Sequence, residues 1–488
     1  MRSRQLSFVF ADSPPGSGGA PSSDVSDAVS SLLHTAKGMP AEDLITPAID
    51  TGRLLERVAS RRNLVTALYN VARNKGAPGV DGRSVEEVAG AAPAILDVLR
   101  VALLEGTYEP GDIRRVWIPK PGGGQRGLGI PNVIDRVVQQ AILQVLEGIY
   151  EPTFHNSSHG FRRNRGAHTA IAEARTYVAE GREVIVDLDL SKFFDRVNHQ
   201  RLLSRLAQRI SDQRLLRLIG LLLKANVVLP DGVRVPTEEG TPQGGPLSPL
   251  LSNVVLDEFD QELQRRGLRF VRYADDCNIF VRSLRAGRRV MASIRHFLEV
   301  QLRLLVNEEK SKVARPEEVQ FLGFSLSTTE SGAVDVHLST RTRQRLDAKL
   351  RELTPRNWGQ SVSACLDRVN RYLRGWAGYF RLCTEAGAKL FCRFDAHIRR
   401  RIRAILVRQK KRPRYLYQHL RKCGVSDYGA ARAAFCQRGP WFKSNTNGMT
   451  KAYPNKWFAD RLVSLWSTWQ QLNPPPSPVS VQRTLFER

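Results

Sequence analysis

The chain has 488 residues, which exceeds the usual size of a single domain and predicts about two to four folded units. Lysine and arginine number 74 against 48 aspartate and glutamate residues, so the formal net charge is +26, and 42% of the residues are hydrophobic. This composition excludes a disordered basic tail and is typical of a folded protein that binds a polyanion, although a ribosome-like or membrane-surface binder would share the charge.

Cysteine usage and hydropathy indicate the cellular compartment expected for this protein. The six cysteines form no CxxC pair and no regular framework, which fits a reducing environment. The chain has no run of about eighteen apolar residues and no secretory signal pattern at its start. We therefore expect a soluble cytoplasmic protein without a membrane partner.

The chain begins with a stretch that is poor in core-forming residues. Residues 1–50 contain a Pro/Gly/Ser-rich segment at 13–24, and we expect a flexible leader there. Apolar residues then recur at helical spacing over 54–74, up to the turn-rich sequence GAPGVDG at 76–82. Folded structure is therefore predicted to start near Leu54.

The next segment reads as a hairpin followed by a helix. Residues 113–131 predict a strand, a glycine turn and a returning strand, and residues 133–150 have an amphipathic helical pattern. No GK[ST] sequence follows the glycines, so we reject a P-loop.

Acidic residues mark two further strand segments. Residues 182–195 begin as a strand with Asp187 and Asp189 on one face, and residues 269–282 predict a strand pair with Asp275 and Asp276 at its turn. The loop GTPQGGPLSP lies between them in the sequence. Strands and helices alternate without βαβ regularity, which predicts an α+β domain over roughly 55–330.

The character of the chain changes after a linker predicted near 326–338. Long helical patterns rich in Arg and Lys follow, and residues 398–414 carry nine cations without one acid. A solvated helix face usually explains a few charges, but so many uncompensated cations would repel one another. A phosphate partner is the better interpretation.

Three acids suggest the chemistry. Nucleotidyl transfer uses two divalent cations roughly 3.5–4 Å apart, and such hard cations require clustered carboxylates. Asp189 and the pair Asp275 and Asp276 lie within apolar strand sequences, where uncompensated carboxylates are costly to bury, so we interpret them as catalytic metal ligands. For Asp187 a structural role is the favoured interpretation.

At this point the sequence resembles a known family, the bacterial group II intron-encoded reverse transcriptases and maturases. The resemblance extends from about residue 55 to 470, and nine motifs stand in the family order. They are GAPGVDG, IPKPGGGQRGLGIPNVIDRVVQQAI, SHGFRRNRGAHTAI, DLDLSKFFDRVNH, GTPQGGPLSPLLSNVVL, RYADD, NEEKSKV, FLGF and RYLRGWAGYFR.

The resemblance implies a fold and its division. We expect the α+β fold of a right-hand polymerase, with fingers and palm at 51–330, followed by an α-helical thumb and maturase domain at 331–425 and a C-terminal extension at 426–488. The extension is a candidate for nucleic-acid binding. No paired cysteines and histidines follow Lys451, so an HNH endonuclease is not expected.

The resemblance also assigns roles around the three acids. Asp189, Asp275 and Asp276 would bind two Mg²⁺ ions, for which Mn²⁺ can substitute, and Phe194 would clash with a ribose 2′-hydroxyl and so select deoxynucleotides. FLGF would grip the primer end, although an apolar strand pair would look the same. Four further residues are expected to contact the nucleotide: Lys120, Arg126, Gln243 and Lys310.

In the helical domain the resemblance points to contacts with nucleic-acid backbones. Aromatic residues such as Trp376 could stack on bases, but a helix core is the favoured interpretation for Trp376. The candidates for nucleic-acid binding are Arg371, Arg374, Arg381, Arg399, Arg400 and Arg403.

The implied function is that of an RNA-directed DNA polymerase that binds intron RNA to aid splicing and copies RNA into DNA during intron mobility. Its partners would be intron RNA, an RNA template with a DNA primer, deoxynucleoside triphosphates and target DNA, in the bacterial cytoplasm. Three alternatives stay open: a non-catalytic RNA-binding maturase, another polymerase with a similar palm, and a domesticated reverse transcriptase in defence or repair.

Overall fold

A computed structural model describes residues 50–119, 123–355 and 357–474. The predicted leader, apart from Asp50, and the predicted nucleotide contact Lys120 lie outside these residues. The chain separates into two compact units. The first comprises the described residues up to Ala174 together with Arg182–Ala314, and the second comprises Arg175–Gly181 and the described residues from Arg315 onward.

Helices dominate the described residues. In chain order they are α1 (Leu54–Val58), α2 (Arg61–Arg73), α3 (Val85–Gly90), α4 (Ala92–Glu105), α5 (Val133–Tyr150), α6 (Ala167–Ala179), α7 (His199–Ala207), α8 (Gln213–Leu223), α9 (Ser248–Arg265), α10 (Leu284–His296), α11 (Thr340–Leu353), α12 (Val362–Tyr379), α13 (Glu385–Gln409), α14 (Pro413–Lys422), α15 (Asp427–Phe435), α16 (Pro440–Lys443), α17 (Asn447–Ala452), α18 (Asn455–Ala459) and α19 (Leu465–Leu472). No helix among them combines the length and the apolarity that crossing a membrane requires.

The strands lie in two four-stranded sheets and one hairpin. They are β1 (Ile113–Pro119), β2 (Gln125–Ile130), β3 (Val184–Asp189), β4 (Val227–Val228), β5 (Arg234–Val235), β6 (Arg269–Tyr273), β7 (Asp276–Val281), β8 (Lys312–Ala314), β9 (Phe324–Thr328) and β10 (Val334–Leu338). One sheet has the order β2-β1-β4-β5 and the other has the order β6-β7-β3-β8. This mixture of helices with largely antiparallel strands confirms the α+β fold class.

The predicted hairpin and helix near the start of the first unit are confirmed. β1 and β2 pair antiparallel, and α5 spans Val133–Tyr150 as its amphipathic pattern predicts. The predicted helical stretch from Leu54 is divided in two, because the Ser60 hydroxyl accepts a hydrogen bond from the Asn63 backbone N–H and starts a new helix.

The sheet β6-β7-β3-β8 is antiparallel throughout and has two different faces. Val184, Val186 and Leu188 of β3 belong to the main apolar core of the first unit, where Gly287 of α10 comes close to Val184. Because side chains alternate along a strand, Asp187 and Asp189 point to the opposite face. The face with the two acids also carries the buried Ile185 and Phe280, so its polar groups are gathered toward the end of β3 that carries Asp189.

The second unit contains a hairpin where the sequence predicts a linker. The prediction of a linker near 326–338 is wrong: β9 and β10 pair antiparallel from Phe324↔Leu338 to Thr328↔Val334. The Ser, Thr and Gly content masked an alternating pattern in which Leu326 and Val336 are buried. FLGF forms the turn that leads into β9, since Phe321 and Phe324 exchange backbone hydrogen bonds.

α12 and α13 supply the core of the second unit. Trp376 is buried, as its interpretation as a core residue predicts, and its ring packs against Phe380 and Phe391. Asp395 of α13 accepts hydrogen bonds from the backbone N–H groups of Leu465 and Trp466 at the start of α19. The C-terminal helices of this unit are therefore fixed onto α13 by a buried carboxylate.

Candidate active site and nucleic-acid surface

The sheet β6-β7-β3-β8 is called the central sheet below. Its strand pairing brings the predicted acids together where β3 ends and β7 begins, and this place is called the acidic edge. Asp189 at the end of β3 lies directly opposite Asp276 at the start of β7. Tyr273 and Asp276 are paired across the β6-β7 turn, so Ala274 and Asp275 form its two-residue tip, and Ala274 has the positive φ of +57° that such a turn needs. Two β elements thus place Asp189, Asp275 and Asp276 side by side.

These carboxylates are half-buried and repel one another. Burial, together with the like charges of Asp187, Asp275 and Asp189, raises the pKa of Asp276 well above its ordinary value. Burial and Asp189 also raise the pKa of Asp275, while Arg126 and Lys310 act in the opposite direction. Burial raises the pKa of Asp187 to about 6, against the effect of Lys312. The edge therefore has an excess of negative charge.

Lys310 is the cation that contacts the cluster. Its ammonium group lies 3.0 Å from Oδ2 of Asp189, and its side chain is two-thirds exposed. Among the residues that the structure describes, no three His, Cys, Asp or Glu side chains stand close enough together to hold a metal ion. The three acids are neighbours, but in this structure Asp189 is directed to Lys310.

The loop at 240–249 connects the acids with the first hairpin. Its Thr241 N–H donates to the carbonyl of Phe194 at 2.6 Å, and the Gln243 carbonyl accepts from the N–H of Gly129 on β2 at 2.9 Å. A Cβ on Gly244 would overlap the Gly129 carbonyl, so this close approach requires glycine. The loop thereby lies between β2 and the segment that carries Phe194.

Two predicted nucleotide contacts meet on this loop. Nε of Arg126 donates to Oε1 of Gln243 at 2.7 Å, and the positive charge of Arg126 acts to lower the pKa of Asp275. The Phe194 ring packs against Phe193 and is half-buried at the margin of the core. The structure therefore gathers Arg126, Gln243 and Lys310 near the acidic edge, with the Phe194 backbone tied to the same loop.

A buried polar network supports the turn from behind. Arg272, only 1% exposed, forms a bidentate ion pair with Asp260 at 2.5 and 2.6 Å. Its Nη1 also donates to Oδ1 of Asn253 and to the carbonyl of Ala274, and its Nη2 donates to Oγ of Ser158. All five guanidinium N–H groups have an acceptor, so the Ala274 carbonyl is held at a defined place.

Gly160 completes this support. Asn253 donates to the Gly160 carbonyl at 2.9 Å, and a Cβ on Gly160 would overlap the backbone of Ala274. Sequence reasoning missed Arg272, Asp260, Asn253 and Gly160 as positioning residues. The available signal was the position of Arg272 directly before the YADD sequence and of Gly160 in SHGF.

The predicted nucleic-acid contacts in the second unit differ in exposure. Arg371, Arg374 and Arg381 are exposed, whereas Arg399 is half-buried and shares with Arg374 the wall of a cleft of about 460 Å³. The cleft is closed by residues of α18 and α19. These four arginines remain candidates for contacts with a phosphate backbone.

Two other predicted cations have internal partners. The Arg400 guanidinium lies 4.0 Å from the centre of the Trp441 ring. Arg403 is buried, and its Nε and Nη2 donate to the carbonyl of Tyr453. The structure gives no support to a phosphate contact by Arg403, because the residue is only 7% exposed and two of its nitrogen atoms donate inside the unit. A carbonyl group and an aromatic ring thus contact two of the arginines that the sequence assigns to phosphate.

Comparison with known families matches both parts of the chain. The family described as reverse transcriptase (RNA-dependent DNA polymerase) matches residues 118–326, and the group II intron maturase-specific domain matches residues 343–424. The acidic edge, Phe194 and the 240–249 loop lie in the first match, and all six predicted nucleic-acid contacts lie within the second.

Two curated proteins are similar over long stretches. Protein YkfC of Escherichia coli K12 is 32% identical over 364 residues, which cover 66% of this chain and 93% of YkfC. The group II intron-encoded protein LtrA of Lactococcus lactis subsp. cremoris is 34% identical over 248 residues, which cover 51% of this chain and 40% of LtrA. This chain therefore spans less than half of LtrA but nearly all of YkfC.

Proposed function

Since the chain belongs to the family of group II intron-encoded reverse transcriptases and maturases, we propose that it is an active RNA-directed DNA polymerase that also binds intron RNA. Binding of intron RNA would aid splicing, and copying of RNA into DNA would serve intron mobility. The polymerase reaction takes place at the acidic edge of the first unit.

The observation that carries the proposal is the pairing of Asp189 with Asp276, with Asp275 in the adjoining turn. This edge collects more negative charge than its neighbours neutralise, and burial makes that charge costly. A positively charged ligand bound at this place would neutralise the carboxylates and remove this free-energy cost.

The donor set suits a divalent metal. Carboxylate oxygens are the ligands that Mg²⁺ and Mn²⁺ prefer, and we assign Asp189, Asp275 and Asp276 to hold two Mg²⁺ ions, with Mn²⁺ as a substitute. When bound, such ions lower the pKa of the primer 3′-hydroxyl and stabilise the leaving pyrophosphate. Asp189 would exchange its contact with Lys310 for the metal, which frees the Lys310 ammonium group for phosphate.

The surrounding residues would bind a deoxynucleoside triphosphate. Arg126 and Lys310 carry positive charge toward the acids, and Gln243 is held by Arg126. Lys120, which directly precedes the sequence PGGG, is proposed to share the triphosphate. Phe194 supplies an aromatic surface whose bulk excludes a ribose 2′-hydroxyl.

The exposed arginines of the second unit would bind RNA. Arg371, Arg374 and Arg381 are open to solvent, and Arg399 lines the cleft beside Arg374. Phosphate contacts by such residues give affinity that falls with rising salt, without base specificity. Intron RNA, the template with its primer, and target DNA are the proposed polyanions.

Primer extension tests the proposal. The full chain is given an RNA template, a DNA primer, deoxynucleotides and Mg²⁺. Wild type is compared with Asp275→Ala and with Asp97→Ala, which changes an exposed acid that pairs with Arg61 on the surface. We expect extension by wild type and Asp97→Ala and none by Asp275→Ala. Filter binding of the template should give similar affinities for all three proteins.

Two outcomes would contradict this expectation. Extension by Asp275→Ala at the wild-type rate would remove the acidic edge from the chemistry. RNA binding by a wild-type protein that copies no template with Mg²⁺ or Mn²⁺ would favour the non-catalytic maturase instead.

A further inference from the structure

Asn278 is a buried amide without a partner in the middle of the central sheet. It lies on β7, its exposed fraction is 1%, and neither Nδ2 nor Oδ1 makes a hydrogen bond. Each buried polar group left without a partner costs roughly 1–3 kcal/mol. An apolar residue of similar volume would avoid this cost, so the amide needs an explanation beyond packing.

The register places Asn278 among the acids. It is directly opposite Asp187 on β3, and Asp187 is in turn opposite Lys312 on β8. Residues directly opposite in antiparallel strands share one face of the sheet with their Cβ atoms about 4.5–5.5 Å apart. The row Asn278, Asp187, Lys312 therefore runs beneath the row formed by Asp276 and Asp189.

Asp187 connects Asn278 with the proposed metal ligands. It is the first of the like charges that act on Asp276, ahead of Asp275 and Asp189. The position of the Asp187 carboxylate therefore affects how Asp276 can bind metal. A side-chain amide directly across the strand pair is within reach to donate to that carboxylate after a rotamer change.

Of the other buried polar side chains in this part of the first unit, the hydroxyls of Ser252 and Thr241 also lack a partner, but the amide of Asn253 and the guanidinium of Arg272 do not. Asn253 uses both its Nδ2 and its Oδ1, and every donor of Arg272 is paired. Among the residues that the structure describes, Asn278 is the one whose two side-chain polar atoms are both buried without a partner. It occurs at the one position that is directly opposite the acid beneath the proposed metal ligands.

We propose that Asn278 is a positioning residue for the polymerase reaction, which donates from Nδ2 to the Asp187 carboxylate when the acidic edge binds divalent metal and so keeps Asp276 placed for the metal. The inference rests on the proposed function, because it needs metal at Asp189, Asp275 and Asp276. It assigns no direct contact of Asn278 with metal or substrate.

Metal binding and stability, measured separately, test the inference. Asn278→Leu removes the amide at similar volume, Asn278→Thr keeps one donor, and Ile279→Val changes the next residue, which faces the apolar core. Mn²⁺ binding to the full chain without substrate is followed by electron paramagnetic resonance. Thermal unfolding is followed in EDTA, and the Mg²⁺ dependence is followed by primer extension.

For Asn278→Leu we expect unfolding in EDTA at or above the wild-type temperature, because the unpaired amide is gone. We expect its Mn²⁺ affinity to fall by about 10-fold or more, as is usual when a group that orients a metal ligand is lost. The Mg²⁺ midpoint should rise in parallel, with Asn278→Thr intermediate. Ile279→Val should lower stability and leave Mn²⁺ affinity unchanged.

Wild-type Mn²⁺ affinity in Asn278→Leu, or in Asn278→Thr if the leucine variant does not fold, would overturn the inference while wild-type extension keeps the proposed function. A wild-type protein that neither binds Mn²⁺ nor copies RNA would instead overturn the proposed function and the inference with it.

Discussion

Two polar regions lie on either side of the turn between β6 and β7, and they differ in whether their charges are balanced. Behind the turn, Arg272 and Asp260 balance each other, and Asn253, Ser158 and the Ala274 carbonyl accept the remaining guanidinium donors. In front of it, the acids of β3 and β7 repel one another, and Asn278 has no partner. The supporting region is complete by itself, whereas the acidic edge lacks positive charge.

This difference indicates which region stabilises the fold and which performs chemistry. A fully hydrogen-bonded buried network fixes geometry, and removing one member leaves the others unpaired. A cluster of buried like charges destabilises the fold until a ligand neutralises it. Substitutions should therefore have opposite effects on stability in the two regions.

The largest expected effect is on activity, in Asp276→Asn. Loss of a metal-binding carboxylate should slow primer extension by roughly a thousand-fold or more, since a bound metal contributes several kcal/mol to the transition state. Stability in EDTA should stay equal or rise, because one buried like charge is removed. A drop in the unfolding temperature together with the loss of activity would mean that Asp276 is part of the supporting region.

Arg272→Met should have the largest effect on stability. Removing one partner of a buried ion pair costs about 3–5 kcal/mol, because Asp260 is left buried and uncompensated. Urea unfolding measures this loss, and Arg61→Met, which breaks an exposed pair with Asp97, is the matched control with a change below about 1 kcal/mol. Equal losses in the two variants would show that the network behind the turn is not a support.

The sequence predicts the acidic edge better than its support. Asp189, Asp275 and Asp276 stand within apolar strands, so the cost of burying them is visible from neighbouring residues alone. The pairing of Arg272 with Asp260 joins a strand to the preceding helix α9, and the local sequence marks this arginine by its position before YADD but does not identify its partner. Long-range partners of this kind need the folded chain.

The second unit illustrates the same limit. The cations of α13 predict a phosphate surface, but the folded chain directs Arg403 to a carbonyl and Arg400 to an aromatic ring, both far along the sequence. The hairpin of β9 and β10 resembles a linker in the sequence because its turn residues outweigh five buried positions in alternation. Local patterns gave the helices and the first hairpin, where the periodicity is long and regular.

The smallest of the three effects concerns Asp187 and pH. Its pKa rises to about 6 in the folded chain, first because of burial, so between about pH 4 and 6 the folded state holds a proton that the unfolded state has released. Stability should therefore fall as pH rises through this window and stay lower above it, by on the order of 2 kcal/mol from this group after solvent screening. Asp187→Asn should remove this part of the fall.

Unfolding of both proteins in urea and EDTA at pH 5 and pH 7.5 measures the difference. Asp335→Asn, a half-buried acid of β10 in the second unit, is the control and should follow the wild-type pH dependence. Addition of Mn²⁺ at pH 7.5 should restore much of the stability that the wild-type protein loses as pH rises, because the metal neutralises the negative charge to which Asp187 contributes. If Asp187→Asn loses stability with rising pH as steeply as wild type, the repulsion comes from Asp275 and Asp276. In that case the row that contains Asn278 and Asp187 does not contribute to the charge balance of the acidic edge.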